Sequence, residues 1–184
     1  GNFNGTLFST VVNNLNANEE GNIDFEDIDT LEGLLIVNVV NNSTDVVNGH
    51  EKQIITKFSY NNGATWFELP KPYKDLNGDV IRCDDCSLHL HSATDRIDPL
   101  HDTFSSKSAL GMLFGLGNVG THLLPLSDSE NLSLYFSKDA GLTWRELFKG
   151  NYIWEFGDQG TLLFVVETSV ETNIIKYSTD FGDT

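Results

Sequence analysis

The octet Ser59-Tyr-Asn-Asn-Gly-Ala-Thr-Trp66 returns as Ser137-Lys-Asp-Ala-Gly-Leu-Thr-Trp144, and a third copy starts at Ser178-Thr-Asp-Phe-Gly-Asp-Thr184. The shared pattern is Ser-x-Asp-x-Gly-x-x-Trp, and a turn repeated at fixed composition marks a repeated structural unit. Its chemistry is that of a tight turn. The Asp carboxylate accepts hydrogen bonds from backbone N–H groups just ahead of it. The Gly two positions later supplies positive φ without steric cost. The Ser hydroxyl ties the other limb, and the Trp buries a large ring beside the next strand. Asn61 stands where the later copies have Asp139 and Asp180, and its carbonyl oxygen can accept in the same way. Ser59, Asn61, Gly63 and Trp66, then Ser137, Asp139, Gly141 and Trp144, then Ser178, Asp180 and Gly182 are therefore expected to be structural.

The flanks of each copy read as strands: Ile54-Ile-Thr-Lys-Phe58 and Leu132-Ser-Leu-Tyr-Phe136 enter, Trp66-Phe-Glu-Leu69 and Trp144-Arg-Glu-Leu147 leave. Each copy is a β-hairpin with a self-capped turn. Strand-like runs continue along the chain, including Ile23–Ile28, Leu34–Val40, Ser87–His91, Ala109–Leu116, Tyr152–Phe156 and Thr161–Glu167, with Gly, Asn and Asp between them and no convincing helix. Ser137 and Ser178 are 41 residues apart and Ser59 and Ser137 are 78 apart. A period near forty is one four-stranded propeller blade. The predicted fold is all-β, a partial β-propeller of about three blades. Residues 1–22 form the outer end of a preceding blade and 23–69 a blade. A further blade covers 70–148, with long loops at Pro70–Cys86 and Ala93–Ser108, and 149–184 is an incomplete one. The third octet stops one residue before its Trp, so the chain is expected to be a piece of a larger protein. An open arc has unpaired strand edges, through which the fragment is expected to self-associate by strand exchange.

A formal charge of -16 and eleven Lys plus Arg without a cluster argue against nucleic acid or anionic lipid as partners. No run of eighteen apolar residues and no signal-peptide layout occurs. The acidic stretch Glu19, Glu20, Asp24, Glu26, Asp27, Asp29 and Glu32 lacks the Gly-centred spacing of a calcium loop and reads as a solvated rim. No metal or cofactor is expected. Cys83 and Cys86 could be a small disulfide, free thiols or half of a metal site. Four sequons, at Asn4, Asn41, Asn42 and Asn131, favour an oxidising compartment, and with it the disulfide.

Beyond the turns, Cys86-Ser-Leu-His-Leu-His91, then Leu110-Gly-Met-Leu-Phe-Gly-Leu-Gly-Asn-Val-Gly120, resembles the luminal propeller of sortilin-type receptors. So do Leu134-Tyr-Phe-Ser-Lys-Asp-Ala-Gly-Leu-Thr-Trp144 and Ile175-Lys-Tyr-Ser-Thr-Asp180, in the manner of the fungal vacuolar sorting branch. In that family the repeated turns are called Asp-boxes. The resemblance implies part of a ten-bladed propeller on the lumenal side of a type I membrane receptor of the late Golgi and endosome. It implies a cargo-binding role for soluble vacuolar hydrolases, with a cargo peptide held in or at the mouth of a wide tunnel and released on acidification. The membrane span, the cytosolic tail and the cysteine-rich module would lie outside this chain, and the Cys83–Cys86 spacing is tighter than in animal relatives. On the predicted inner strands His89, His91 and Trp154 are the tunnel candidates, the histidines gaining charge as pH falls. The plainer alternative is that the two histidines are satisfied within the strand face and its neighbouring loop. A scaffold propeller binding proteins by its outer surface is the competing function. A sialidase-like glycoside hydrolase needs a convergent arginine cluster, which Arg82, Arg96 and Arg145 do not offer, so no enzymatic activity is expected.

Overall fold

The computed structural model describes residues 5, 8–28, 30–95 and 103–183; Asn4, Asp29, Arg96 and Thr184 lie outside them. Strands β1 (Phe25–Asp27), β2 (Leu35–Val40), β3 (Ile54–Ser59) and β4 (Phe67–Glu68) form one antiparallel sheet in chain order. β5 (Ser87–Leu90), β6 (Leu113–Gly120), β7 (Ser133–Ser137) and β8 (Arg145–Lys149) form a second. β9 (Tyr152–Gly157), β10 (Leu162–Glu167) and β11 (Lys176–Ser178) form a third of three strands. Each sheet is a meander; in the first two an Asp-box turn connects the third strand to the fourth, and in the third sheet the Asp-box turn follows β11.

The sheets stack face to face, which explains the sequence of their central strands. β2 and β7 are buried along their whole length, so they read as nearly continuous apolar runs rather than as alternating ones. In β2 and β3, Ile36 opposite Phe58 points toward the second sheet, while Val37, Val39 and Ile55 point the other way. Ile36 and Phe58 meet Leu88, Leu90, Leu113, Tyr135 and Trp144 in one core. Phe114, Leu134 and Phe136 of the second sheet meet Tyr152, Phe156, Leu163 and Val165 of the third in another. The remaining face of the third sheet leaves Ile153 and Tyr177 exposed.

Three observations depart from the expected organisation. The strand predicted over Ala109–Leu116 runs instead from Leu113 to Gly120. Its glycines hide it from a propensity reading, yet they are required there: a Cβ on Gly117 would lie 1.8 Å from the His89 carbonyl oxygen. A short helix, α1 (Ser43–Val47), occupies the β2–β3 connection, where no helix was expected. Residues 8–22, expected at the outer end of a preceding blade, give no strand to another sheet among the described residues. Asn16 N–H donates to Asn38 O (2.9 Å) and Val40 N–H to Asn14 O (2.8 Å), so this segment extends the inner-strand line beyond β1. Its Val12 and Leu15 cover Val37, Val39 and Ile55, and its Val11 carbonyl accepts from Trp66 Nε1 at 2.9 Å.

Candidate functional site

The three Asp-box turns share one wiring diagram. In the second, Ser137 Oγ accepts from Gly141 N–H (2.8 Å) and donates to Asp139 Oδ1 (2.8 Å), which accepts from Thr143 N–H (2.8 Å). The first substitutes Asn61, whose Oδ1 accepts from Thr65 N–H at 2.9 Å. In the third, Ser178 Oγ accepts from Gly182 N–H at 2.9 Å and donates to Asp180 Oδ1 at 2.7 Å. Burial opposes ionisation of Asp139, but the Thr143 hydroxyl, the Thr143 N–H and the Ser137 hydroxyl outweigh it and hold this carboxyl below the usual range. The turns also join neighbouring blades. A Cβ on Gly141 would lie 2.8 Å from the Phe58 ring, and one on Gly182 would lie 3.2 Å from the Phe136 ring. Phe58 and Phe136 each immediately precede the Ser of their own octet, so each blade's motif phenylalanine seats the next blade's motif glycine.

The junction of the first and second sheets holds a buried polar cluster at its inner side. Asp24, 1% exposed, accepts from Asn16 Nδ2 (2.8 Å), Asn38 Nδ2 (3.1 Å), Thr94 N–H (2.7 Å) and Thr94 Oγ1 (2.9 Å). Asn38 Nδ2 also donates to Leu90 O (3.0 Å), and Thr56 Oγ1 donates to Asn38 Oδ1 (2.7 Å) while accepting from Leu90 N–H (2.9 Å). Lys52 Nζ reaches Asn16 Oδ1 at 3.0 Å. This corrects the rim assignment of Asp24: a carboxylate with four donors is satisfied in the interior. Sequence reasoning missed the cluster because Asn16, Asn38 and Thr94 are far apart in the chain. The faint signal was Asn38, a lone polar residue inside the apolar run of β2.

The same junction corrects the tunnel assignment of the histidines. His89 and His91 are 0% and 1% exposed. β5 is clamped against the first sheet rather than facing a tunnel: Leu88 N–H donates to Leu69 O at 3.1 Å, and the Leu90 N–H is taken by Thr56. His89 Nδ1 accepts from Thr56 N–H (3.2 Å), which places the proton on Nε2, facing Gly120 O at 3.0 Å. Burial pushes His89 below its ordinary pKa, and the Gly120 carbonyl and Glu68 only partly oppose that. His91 Nδ1 lies 2.7 Å from Asp95 Oδ2, while its buried Nε2 has no hydrogen-bond partner among the described residues. Trp154 is half-buried and stacks on Phe114 at 5.7 Å between the second and third sheets.

Three stacked meanders with Asp-boxes describe a propeller arc, and comparison with known proteins specifies which. The family model Sortilin-Vps10 (sortilin, neurotensin receptor 3) matches residues 1–184. The chain belongs to the Sortilin-Vps10 family. It is 45% identical over 190 positions to the vacuolar protein sorting/targeting protein 10 of Talaromyces stipitatus, covering 100% of this chain and 12% of that protein. It is 46% identical over 189 positions to the vacuolar protein sorting/targeting protein PEP1 of Saccharomyces cerevisiae, with the same coverage. An uncharacterized membrane glycoprotein of Saccharomyces cerevisiae is also 46% identical over 189 positions, covering 100% of this chain and 17% of that protein. The chain thus spans about an eighth of the length of the first two relatives.

Within this Sortilin-Vps10 arc, Cys83 and Cys86 are joined in a disulfide, their Cα atoms 5.9 Å apart. It staples the C-terminal end of the Pro70–Cys86 loop, within which Lys74 pairs with Val80 and Asp75 Oδ1 accepts from Asn77 and Asp79 N–H at 2.9 Å each. Leu76 N–H docks this small hairpin on Glu146 Oε2 at 3.0 Å. Arg145 is engaged at the rim, on the Gly182 carbonyl and, at 3.5 Å, on Asp183 Oδ1. Among the described residues no three His, Cys, Asp or Glu side chains are grouped to hold a metal ion.

Proposed function

We propose that this chain is a segment of the lumenal cargo-binding propeller of a membrane-anchored sorting receptor that carries soluble hydrolases from the late Golgi to the endosome and vacuole. The observation that carries the reading is the match, over the whole of this chain, to a segment of two fungal proteins named for vacuolar sorting, on a chain folded as consecutive propeller blades. In this reading the receptor binds and releases without covalent chemistry. Cargo contact within the segment falls on the turns adjoining the inner strands, since β5 has its side chains and these edge groups occupied by the first sheet.

Deleting the parent gene and assaying the medium for soluble vacuolar hydrolase precursors tests the sorting role. Secretion is expected, and full retention in the vacuole would overturn it. Hydrogen-exchange footprinting of the intact receptor with and without cargo tests the contact surface. Protection around the β5, β9 and β10 termini is expected. Protection confined to the outer strands β4 and β8 would identify a scaffold that binds by its outside.

A further inference from the structure

We infer that Asn41 and Asn131 carry N-linked glycans on one common end of the blades, while the overlapping sequon at Asn42 stays bare. The inference rests on the lumenal reading above, because the glycan donor, a lipid-diphosphate-linked oligosaccharide, is met only there.

The end of the molecule follows from topology. Asn41 opens the connection from β2 to β3, and Asn131 closes the connection from β6 to β7. Both connections join second to third strands of antiparallel meanders, so they leave the stacked sheets at the same end. Leu123 N–H donates to Ile54 O at 2.7 Å, tying the roots of the two loops together. The Asp-box turns follow the third strands and lie at the opposite end.

The choice among sequons follows from the asparagine side chains. In the transfer, Asn Nδ2 forms a bond to the anomeric carbon as the sugar–phosphate bond breaks, the diphosphate leaves with the lipid, and an Nδ2 proton is lost to solvent. Asn41 is exposed, and its side chain makes no hydrogen bond among the described residues, although its backbone N–H is paired with Gln53 O at 2.8 Å. Asn131 is also exposed; one Nδ2 hydrogen goes to Asp128 Oδ1 at 2.9 Å, leaving the other for substitution. Asn42 is half-buried and committed at both ends: Nδ2 donates to Glu51 O (2.8 Å) and Oδ1 accepts from Gln53 N–H (2.7 Å). That clasp closes the α1 loop, and although one Nδ2 hydrogen is unbonded there as at Asn131, a sugar on the half-buried Asn42 would have to fit against the loop that the clasp holds shut. The Asn131 sequon adds a constraint of order. Ser133 is 0% exposed, and its hydroxyl donates to Glu146 Oε1 at 2.6 Å, so this glycan is attached before β7 pairs with β8.

The test uses the full receptor purified from a secretory host and deglycosylated in ¹⁸O water with a glycosidase that converts glycosylated Asn to labelled Asp. Mass spectrometry is expected to find the label at 41 and 131 and not at 42. Thr44→Ala, which removes only the Asn42 sequon, should leave labelling at 41 unchanged. Ser43→Ala, which removes only the Asn41 sequon, should abolish it without a gain at 42. Label at 42 in the natural protein, or none at 41 or at 131, overturns the proposal. Protease treatment of intact microsomes separates this failure from that of the lumenal reading. A protected propeller with these sites unlabelled sinks the glycan assignment alone, whereas a digested propeller sinks both.

Discussion

The two blade junctions solve the same packing problem with different chemistry. Between the second and third sheets the contact is aromatic: Phe114, 4.7 Å from Phe136 of its own sheet, lies 5.2 Å from Phe156 and 5.7 Å from Trp154, ring centre to ring centre. Its outer margin is sealed by Lys176, whose Nζ sits 4.3 Å above the Phe148 ring and 4.9 Å above that of Tyr152. Between the first and second sheets a core of mixed aliphatic and aromatic side chains is joined to the Asp24 cluster and His89. Apolar packing tolerates small slips, because dispersion and burial are non-directional. A carboxylate with four donors does not, since each donor left unpaired costs about 1–3 kcal/mol. The first junction is therefore the one whose register is fixed, and the second is the one that follows it.

The largest expected effects come from breaking each junction at its centre. Phe114→Ala removes a 1% exposed ring and should destabilise the second junction by about 3–5 kcal/mol. Asp24→Ala strands the donors of Asn16, Asn38 and Thr94 and should cost a comparable 3–5 kcal/mol or about that. The readouts differ. Hydrogen exchange on the intact receptor should show Asp24→Ala opening β1, β5 and residues 91–95, with β9 and β10 unaffected. Phe114→Ala should do the reverse. Equal loosening of both junctions by either variant would remove the distinction drawn between them.

The aromatic junction and the turns were legible in the sequence; the polar junction was not. The octet fixes its own turn through contacts within eight residues, so Ser137, Asp139 and Gly141 can be read without knowing the fold. Phe136 and Trp144 are apolar beside that landmark and have nowhere to go but a neighbouring sheet. Asp24 and His89 have no such local signature. Asp24 sits in an acidic run that composition assigns to solvent, and only residues up to 70 positions away make its burial possible. His89 lies on the inner strand, as the octet spacing requires, yet its orientation is set by Thr56 of another blade. The direction of a side chain on a stacked sheet depends on the neighbouring sheet, which local periodicity does not encode. β6 was misplaced for a related reason: Gly115 and Gly117 lower strand propensity, but they are demanded by the close approach of Leu90 and the His89 carbonyl.

A second difference between the junctions is their response to acid. His89 accepts at Nδ1 from a backbone N–H, so its charged form would set two donors against each other. The groups facing it are Thr56 N–H, Ser87, the Gly120 carbonyl, Glu68 and His122, and burial is the largest influence, lowering its pKa. A histidine with a lowered folded-state pKa binds its proton more readily when unfolded. The stability of the first junction is therefore complete above about pH 6.5 and declines as pH falls from there toward the folded value. Exchange of β3 and β5 in the intact receptor should accelerate between pH 7.5 and 5.5 relative to β9 and β10, after correction for intrinsic rates. His89→Gln should flatten that difference. Parallel behaviour of the two junctions across this range would refute the assignment.

The smallest expected effect compares the first two turns at their accepting residue, Asn61 in one and Asp139 in the other. Asn61 and Asp139 accept from the same backbone position, Thr65 N–H at 2.9 Å and Thr143 N–H at 2.8 Å, but only the second is charged. Charge-assisted hydrogen bonds are the stronger kind, although this turn is solvent-exposed and screened. Asp139→Asn should thus cost less than about 1 kcal/mol at neutral pH. The sign of its pH dependence is fixed by the depressed Asp139 pKa. The carboxylate's contribution is present above the unfolded value near 3.9 and is lost as pH falls through the folded one. The difference between natural protein and Asp139→Asn should then shrink below about pH 4, while Asn61→Asp should give the mirror image, a gain at pH 7 that disappears in acid. Thermal unfolding of the three proteins at pH 7 and pH 3.5 reads this directly. A gap that ignores pH would mean that Asp139 works through its shape and hydrogen bonds alone, as Asn61 does, and that the charge in the motif is incidental to the turn.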